Sequence, residues 1–569
     1  MCLIANSPPQ KPIQSPNNPT DAQRHEMVKQ SLINAGRPED YKYIMENLSP
    51  PPDITTYAAP GQYKGIKVAV VGAGIAGLSA AFELRKLGFD ITIFEAEEER
   101  IGGRIYTHYF DKDKRLYGEL GAGRIPASHG TAWHYVNLFN LNTTRIGYGK
   151  DDTFVFIRNT RARYNAKDIM EQIYPMFNLT PAERNTPWPE LYDRVILSAL
   201  KSLSPELRAE FIRISPNLPP TFATAVTITV RQGLKKYGLS DSAISLITSL
   251  SPTVNAFIEG SFYTELITDY AVSTNNTYRI DGGMANLPLA FYRSLTSDNP
   301  QEYNLPSSAL GKAAFKRGSL IEGCYKSDKD GKVILSYYNK LNAESAYESF
   351  DYVFFTVPLT SLRKIYFKPA FSNLKTEAIR EVSYVDAQKV LFLCSERFWQ
   401  RQGITGGVSN TDLIIQSIMY PSDSSYCQQN TTDTADCSPN VPGVLVASYT
   451  MGNDAQRLGS SKPFLFRLTK RQVEIVHGLP KNYLENVVTD YKAVHWNDNP
   501  YISGAFVNFQ PGQGNRFSWE LSKPEYENRV YFSGEAISPP NGWIQAALQS
   551  SMISANALAY YLKTYGHKK

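Results

Sequence analysis

Apolar residues run almost unbroken from Ile66 to Val71, stop at a glycine-rich turn, and resume at helical spacing through Leu78, Ala81 and Leu84 before Gly88. A second short apolar run, Ile91-Thr92-Ile93-Phe94, follows at once. Two apolar strands flanking an amphipathic helix read as a βαβ unit whose parallel strands are covered on both faces. From about Thr180 to Asp269 the period is helical, as in Leu191, Val195, Ala199 and Leu203 and again in Ile244, Ile247 and Leu250. Strand-like stretches return at 333–337, 352–357 and 390–393. Near the end, Val530-Tyr531-Phe532-Ser533 reads as a strand, and a helix is expected from Gly542-Trp543 through Ala546, Met552 and Ala557, with Asn541 as its N-cap. Residues 1–61, rich in Pro, Asn and Gln, read as an extended arm holding one helix near Ala22 to Ala35.

The alternation predicts a mixed α/β (α+β) chain in which a Rossmann-like domain is discontinuous. Its expected segments are 62–125, 275–350 and 500–569, re-entered at Tyr278-Arg279-Ile280-Asp281-Gly282-Gly283-Met284. A mixed-sheet substrate domain takes 126–179 and 351–499, and a helical insertion takes 180–274.

Composition narrows the function. A chain of 569 residues with 42% apolar and 20% charged residues builds several packed units rather than one. The net charge of +5 comes without a basic run, which speaks against nucleic acid as a partner. No apolar stretch reaches the roughly 18–20 residues that cross a bilayer. The start, Met1-Cys2-Leu3-Ile4, shows no export signal, so a cytoplasmic location is expected. The five cysteines (2, 324, 394, 427 and 437) form no CxxC pair, and the seven histidines form no HxH or HExxH pattern, so no metal site is expected. Cys427 and Cys437 bracket a polar stretch and either close a loop or remain thiols.

The chemistry starts at Gly72-Ala73-Gly74-Ile75-Ala76-Gly77. In a strand–GxGxxG–helix frame Gly72 allows the tight turn, Gly74 lets backbone approach a pyrophosphate, and Gly77 lets helix meet strand. The helix N-terminus offers amides to phosphate. Glu95 closes the second strand, where an acid accepts from ribose hydroxyls and disfavours a 2′-phosphate.

Two further signatures extend this reading. Arg100-Ile101-Gly102-Gly103-Arg104 follows Glu95, and Gly534-Glu535 closes a strand near the C-terminus. With these the chain resembles the flavin-containing amine oxidases. The resemblance implies noncovalent FAD, with Arg104 at its pyrophosphate and Glu535 at the ribityl or phosphate region. It adds Ala96, Gly103, Gly121, Ala122, Gly123, Arg124, Ile544 and, at the adenine, Leu320; Trp496 packs on the isoalloxazine. The helix after Trp543 brings its positive dipole end toward the ring, where reduction builds negative charge.

Within that family the chain looks most like the L-amino-acid oxidases. Arg124, in Gly121-Ala122-Gly123-Arg124, falls where a guanidinium clamps the substrate carboxylate through its planar fork. The resemblance has Tyr420 sharing that carboxylate, Gly542 and Trp543 closing the site, Lys389 bonded through water to the reactive flavin nitrogen, and Tyr263 near the substrate side chain. The activity implied is oxidation of a free L-amino acid to an imine, with oxygen as acceptor and peroxide as product, by a homodimer or dimer of dimers. An amino-acid monooxygenase shares the clamp and stays open, as, less readily, does a monoamine or polyamine oxidase. Any of Glu259, Glu265 and Asp269 facing the funnel would select basic side chains.

Overall fold

The computed structural model describes residues 18–146, 151–216, 218–421, 438–459 and 462–566. Cys427 and Cys437 lie outside them.

A five-stranded sheet carries the first motif. Its order is Ala313–Arg317, Asp90–Glu95, Lys67–Val71, Tyr352–Phe355 and Val530–Phe532. All four pairings are parallel. The helix Ile75–Lys86 covers one face and packs against the last helix, Ile544–Tyr565. Every residue of Lys67–Val71 except Lys67 is buried, as expected of a central parallel strand. The strand Tyr352–Phe355 belongs to this sheet, so the boundary expected at 350/351 falls one strand early. Its four buried residues, flanked on either side by Lys67–Val71 and Val530–Phe532, explain the continuous apolar run there.

A seven-stranded sheet forms the second body, in the order Val488–His495, Ala387–Cys394, Gly443–Met451, Ser417–Met419, Val408–Thr411, Phe154–Ile157 and Thr160–Arg163. Only the contact of Val408–Thr411 with Phe154–Ile157 is parallel. One face packs on the helix Lys462–His477. The other carries Leu391 and Val444 against Leu120, just ahead of the GAGR segment. Between the strands Thr160–Arg163 and Thr277–Ile280 the described residues of 181–270 form a series of helices, from Pro181–Arg184 to Phe262–Tyr270.

The N-terminal segment is less extended than its composition suggests. Besides Asp21–Asn34, which Thr20 and Gln23 cap reciprocally, a second helix runs Tyr41–Leu48 and buries Ile44, Met45 and Leu48. Arg37, Asp40 and Arg208 tie it to the insertion through ion pairs of 2.8 Å. Among the described residues no helix is long and apolar enough to cross a membrane, and no cluster of His, Cys, Asp and Glu is arranged for a metal.

Candidate active site

The glycine turn has the geometry its sequence requires. Gly72 sits at φ +105°, and a Cβ there would meet Val357 at 2.8 Å. A Cβ on Gly77 would lie 2.0 Å from the Gly72 carbonyl, so helix and strand approach only because it is absent. The Glu95 carboxylate accepts from Ala73 N at 2.9 Å and Glu97 N at 2.8 Å. Burial raises its pKa, and the two amides oppose that shift. Ile75 and Ala76 open the helix, Ala96 follows Glu95, and the Arg100–Arg104 turn docks on the glycine loop through Gly102 N to Ala73 O at 2.9 Å. A Cβ on Gly103 would lie 3.3 Å from Gly74 Cα, so two glycine-lined backbones face each other. Leu320 stands just past Arg317, which pairs with Glu95; it is 37% exposed and not part of the core.

Arg104 donates from Nη1 to Glu535 Oε1 at 2.6 Å and to Ala505 O at 3.0 Å. The other oxygen, Oε2, accepts from Gly542 N at 3.0 Å. A cavity at the carboxyl ends of the parallel strands is lined by Arg104, Val357, Tyr384, Gly534 and Glu535. That is where a dinucleotide lies in an open α/β sheet. The opposed glycine loops and this buried ion pair fit a pyrophosphate-bearing cofactor.

Asn541 does not cap the last helix. Its Nδ2 donates to Glu535 O and Ser538 O at 3.1 and 3.2 Å, bracing the turn, while Trp543 holds the N-cap and the helix starts at Ile544. Gly542 sits at φ +81° against Phe506. Arg124 lies 5.6 Å from the Trp543 ring, which also meets the His129 ring edge-on at 5.1 Å.

The Ala387–Cys394 strand sends Lys389 toward this corner, where Nζ donates to Gly121 O at 2.8 Å and Glu119 O at 3.2 Å. Gly121 is pressed onto the Arg104 carbonyl, 2.0 Å from where its Cβ would be, and Ala122 N donates to that carbonyl at 3.1 Å. Gly123 has the Glu119 side chain as its neighbour. Trp496, also buried, donates from Nε1 to Leu120 O at 3.1 Å. The structure thus brings together Arg104, Gly121, Ala122, Gly123, Arg124, Lys389, Trp496, Glu535, Gly542 and Trp543.

Tyr420 is not brought there. Along Ala387–Cys394, Val390 and Phe392 share a core with Tyr420, while Leu391, in phase with Lys389, faces Leu120. Tyr420 therefore lies behind the sheet, where its hydroxyl meets Ser409 at 2.7 Å and His477 Nε2 at 2.9 Å. Gln402 accepts from His477 Nδ1 at 2.6 Å and donates to the His477 carbonyl, which makes Nε2 the acceptor of the tyrosine proton. The residue on the right face is Tyr449, directly paired with Lys389, whose Nζ lies 4.6 Å from its ring. Strand alternation alone identifies it: Ser448 and Thr450 point at the buried loop 414–415, so Tyr449 points away from it.

Tyr263 is also elsewhere, packed on Phe211 at 5.1 Å and Phe222 at 5.6 Å inside the insertion. Glu259 is an exposed partner of Arg231. Glu265 and Asp269 lie one helical turn apart against the Tyr192 hydroxyl, and burial raises both their pKa values.

An L-amino-acid oxidase of Vipera ammodytes ammodytes is 29% identical over 495 residues, 86% of this chain and 91% of that one. One of Sistrurus catenatus edwardsii is 28% identical over 498 residues, 86% of each. In fold the chain is similar to a putrescine oxidase bound to putrescine (TM-score 0.63, 17% identity, 86% of this chain and 98% of that one). It is equally similar to cyclohexylamine oxidase from Brevibacterium oxydans (TM-score 0.63, 19% identity, 87% and 99%). The family described as flavin containing amine oxidoreductase matches residues 75–559, and the chain belongs to that FAD-dependent family.

Proposed function

We propose that this flavoprotein oxidises a free L-amino acid to its imine, which water hydrolyses to a 2-oxo acid and ammonia, with oxygen taking the electrons as hydrogen peroxide. The observation that carries the reading is Arg124. Its guanidinium stands against Trp543, in the corner where the GAGR segment, Lys389 and the start of the last helix meet. A simple amine has nothing to offer an arginine there, whereas a carboxylate pairs with it through two hydrogen bonds.

FAD supplies a two-electron acceptor for the hydrogen on the substrate α-carbon. Arg104 and Glu535 hold its phosphate and ribityl region, and Glu95 its adenosine ribose. No cysteine follows Cys437, so the C-terminal signature has none to bond FAD covalently. Arg124 fixes the substrate carboxylate, with the Tyr449 hydroxyl taking the part expected of Tyr420. Fixing one end of a small substrate turns its α-hydrogen toward the acceptor and removes much of the entropic cost of alignment. Trp543 and Phe506 wall the site, and the Lys389 ammonium adds positive charge where negative charge builds.

A peroxide-coupled assay of the holoenzyme against the twenty L-amino acids and several simple amines tests this. Flavin bleaching by an amino acid, with 2-oxo acid and ammonia as products, is expected. Bleaching by amines alone overturns the carboxylate reading, and an amide with carbon dioxide identifies a monooxygenase.

A further inference from the structure

Behind Lys389 lies the carboxylate of Glu119. Glu119 ends the strand Tyr117–Glu119, paired residue for residue with Thr107–Tyr109. Met284 N donates to its Oε1 at 2.8 Å, and Thr107 Oγ1 donates to its Oε2 at 2.9 Å. Thr107 Oγ1 in turn accepts from Ala285 N at 3.0 Å. These amides lead into the helix Asn286–Thr296, so the carboxylate sits at a helix N-terminus, where negative charge is favoured. The turn is shaped for this contact: Gly283, at φ +108°, would bring a Cβ within 2.5 Å of Thr107. Glu119's own backbone carbonyl accepts from Lys389 Nζ at 3.2 Å.

Lys389, buried, thus lies against the Glu119 main chain with the half-buried carboxylate beside it, and each is unfavourable if charged alone. Burial pushes Lys389 down and Glu119 up, and each one's charge opposes the other's shift. Arg124 pushes Lys389 further down, while Arg279 supports the Glu119 anion. Tyr109 and Tyr117 also face Glu119, with Asp281 beside Tyr117; burial raises both phenols, which stay neutral. Of the charged groups, Glu119 favours the Lys389 ammonium and Arg124 opposes it, while the Glu119 and Gly121 carbonyls and the Tyr449 ring add neutral support.

We infer that Glu119 is a positioning residue that keeps Lys389 an ammonium at neutral pH, against its burial and the repulsion of Arg124, so that a fixed positive charge faces the flavin corner. The inference rests on the reading of that corner as the flavin site and not on which substrate it oxidises. Glu119→Gln keeps the shape and removes the charge.

The test uses holoenzyme whose flavin is reduced by light, which needs no substrate, then mixed with oxygen from pH 5.5 to 9.5, with the flavin midpoint potential followed over the same range. In the wild type Glu119 and Lys389 titrate as a coupled pair, so the break followed is the upper one, in which the ammonium is lost, and Lys389→Met should lack it. Glu119→Gln should move the break at least one unit lower, a tenfold change in proton concentration, and Thr107→Val, which strips a donor from the carboxylate, should move it the same way by less. A Glu119→Gln break that coincides with the wild-type break overturns the inference, as does a slower rate with an unmoved break. If Glu119→Gln retains no flavin, an unmoved break in Thr107→Val overturns it. Failure of every amino acid to reduce the flavin sinks the proposed substrate and leaves these profiles readable.

Discussion

Arg104 and Glu535, 431 residues apart in sequence, form a 2.6 Å ion pair that joins the first glycine motif to the last. Arg104 comes from the turn docked on the GxGxxG loop, and Glu535 from the end of the last parallel strand. Two distant segments of chain are held together by one contact. The charge of each partner makes burial of the other tolerable, and burial of the guanidinium is offset chiefly by the Glu535 carboxylate.

Removing one partner leaves an uncompensated charge. Arg104→Met is expected to raise the dissociation constant for FAD by ~10–100-fold, the equivalent of about 1.4–2.8 kcal/mol. Flavin fluorescence titration of the apoprotein reads this directly. Unchanged affinity would show that Arg104 serves only to close the fold.

The two tyrosines separate by what their loss harms. Tyr420→Phe removes a donor to His477 Nε2 behind the sheet and should cost about 1–3 kcal/mol of stability with kcat/KM nearly unchanged. Tyr449→Phe should leave the melting temperature within a degree or two and raise KM for the amino acid about tenfold. Thermal melts and steady-state kinetics on both variants check the assignment, and the reversed pattern would restore Tyr420.

At Arg124 the choice is between carboxylate clamp and surface charge. Arg124→Met should lower kcat/KM for amino acids by ~100-fold or more, the order expected when a charge-assisted pair is lost. Activity toward simple amines, if present at all, should not fall. Equal losses toward both substrate classes would mean that the arginine shapes the site without reading the carboxylate.

Much of this was legible because it is local. The strand, glycine turn and helix from Lys67 to Lys86 need little more than neighbouring residues to specify them, and they form where the pattern of apolar residues puts them. The same holds for the strand Val530–Phe532 and the helical block 181–270. Facing was harder to read. Tyr420 and Tyr449 both sit in or beside apolar strands, and only pairing with Ala387–Cys394 decides which looks toward Lys389. Asn541 has the chemistry of an N-cap, but a glycine at positive φ delays the helix until Ile544. Glu119 gave no signal, since its partners Thr107 and Met284 come from separate segments.

His129 ties the site to acid stability. It is fully buried, touches the Ser273 hydroxyl at 3.1 Å and the Trp543 ring, and burial pushes its pKa from 6.5 down to about 3. A histidine depressed in the folded state binds its proton more readily when unfolded. Between pH 6.5 and 3 the unfolded chain therefore gains protons the folded one refuses, and this group's contribution to stability falls as pH drops through that window. Above pH 6.5 neither state is protonated and the contribution is flat. Buried carboxylates such as Glu119 titrate in the opposite sense over part of the range, so the informative quantity is a difference between wild type and His129→Gln. From pH 5.5 to 4.5, where the unfolded histidine is nearly fully protonated, the wild type should lose about 1.4 kcal/mol more than the variant. Urea unfolding of both proteins at several pH values measures it, and parallel curves would mean that His129 takes up its proton without leaving the folded state.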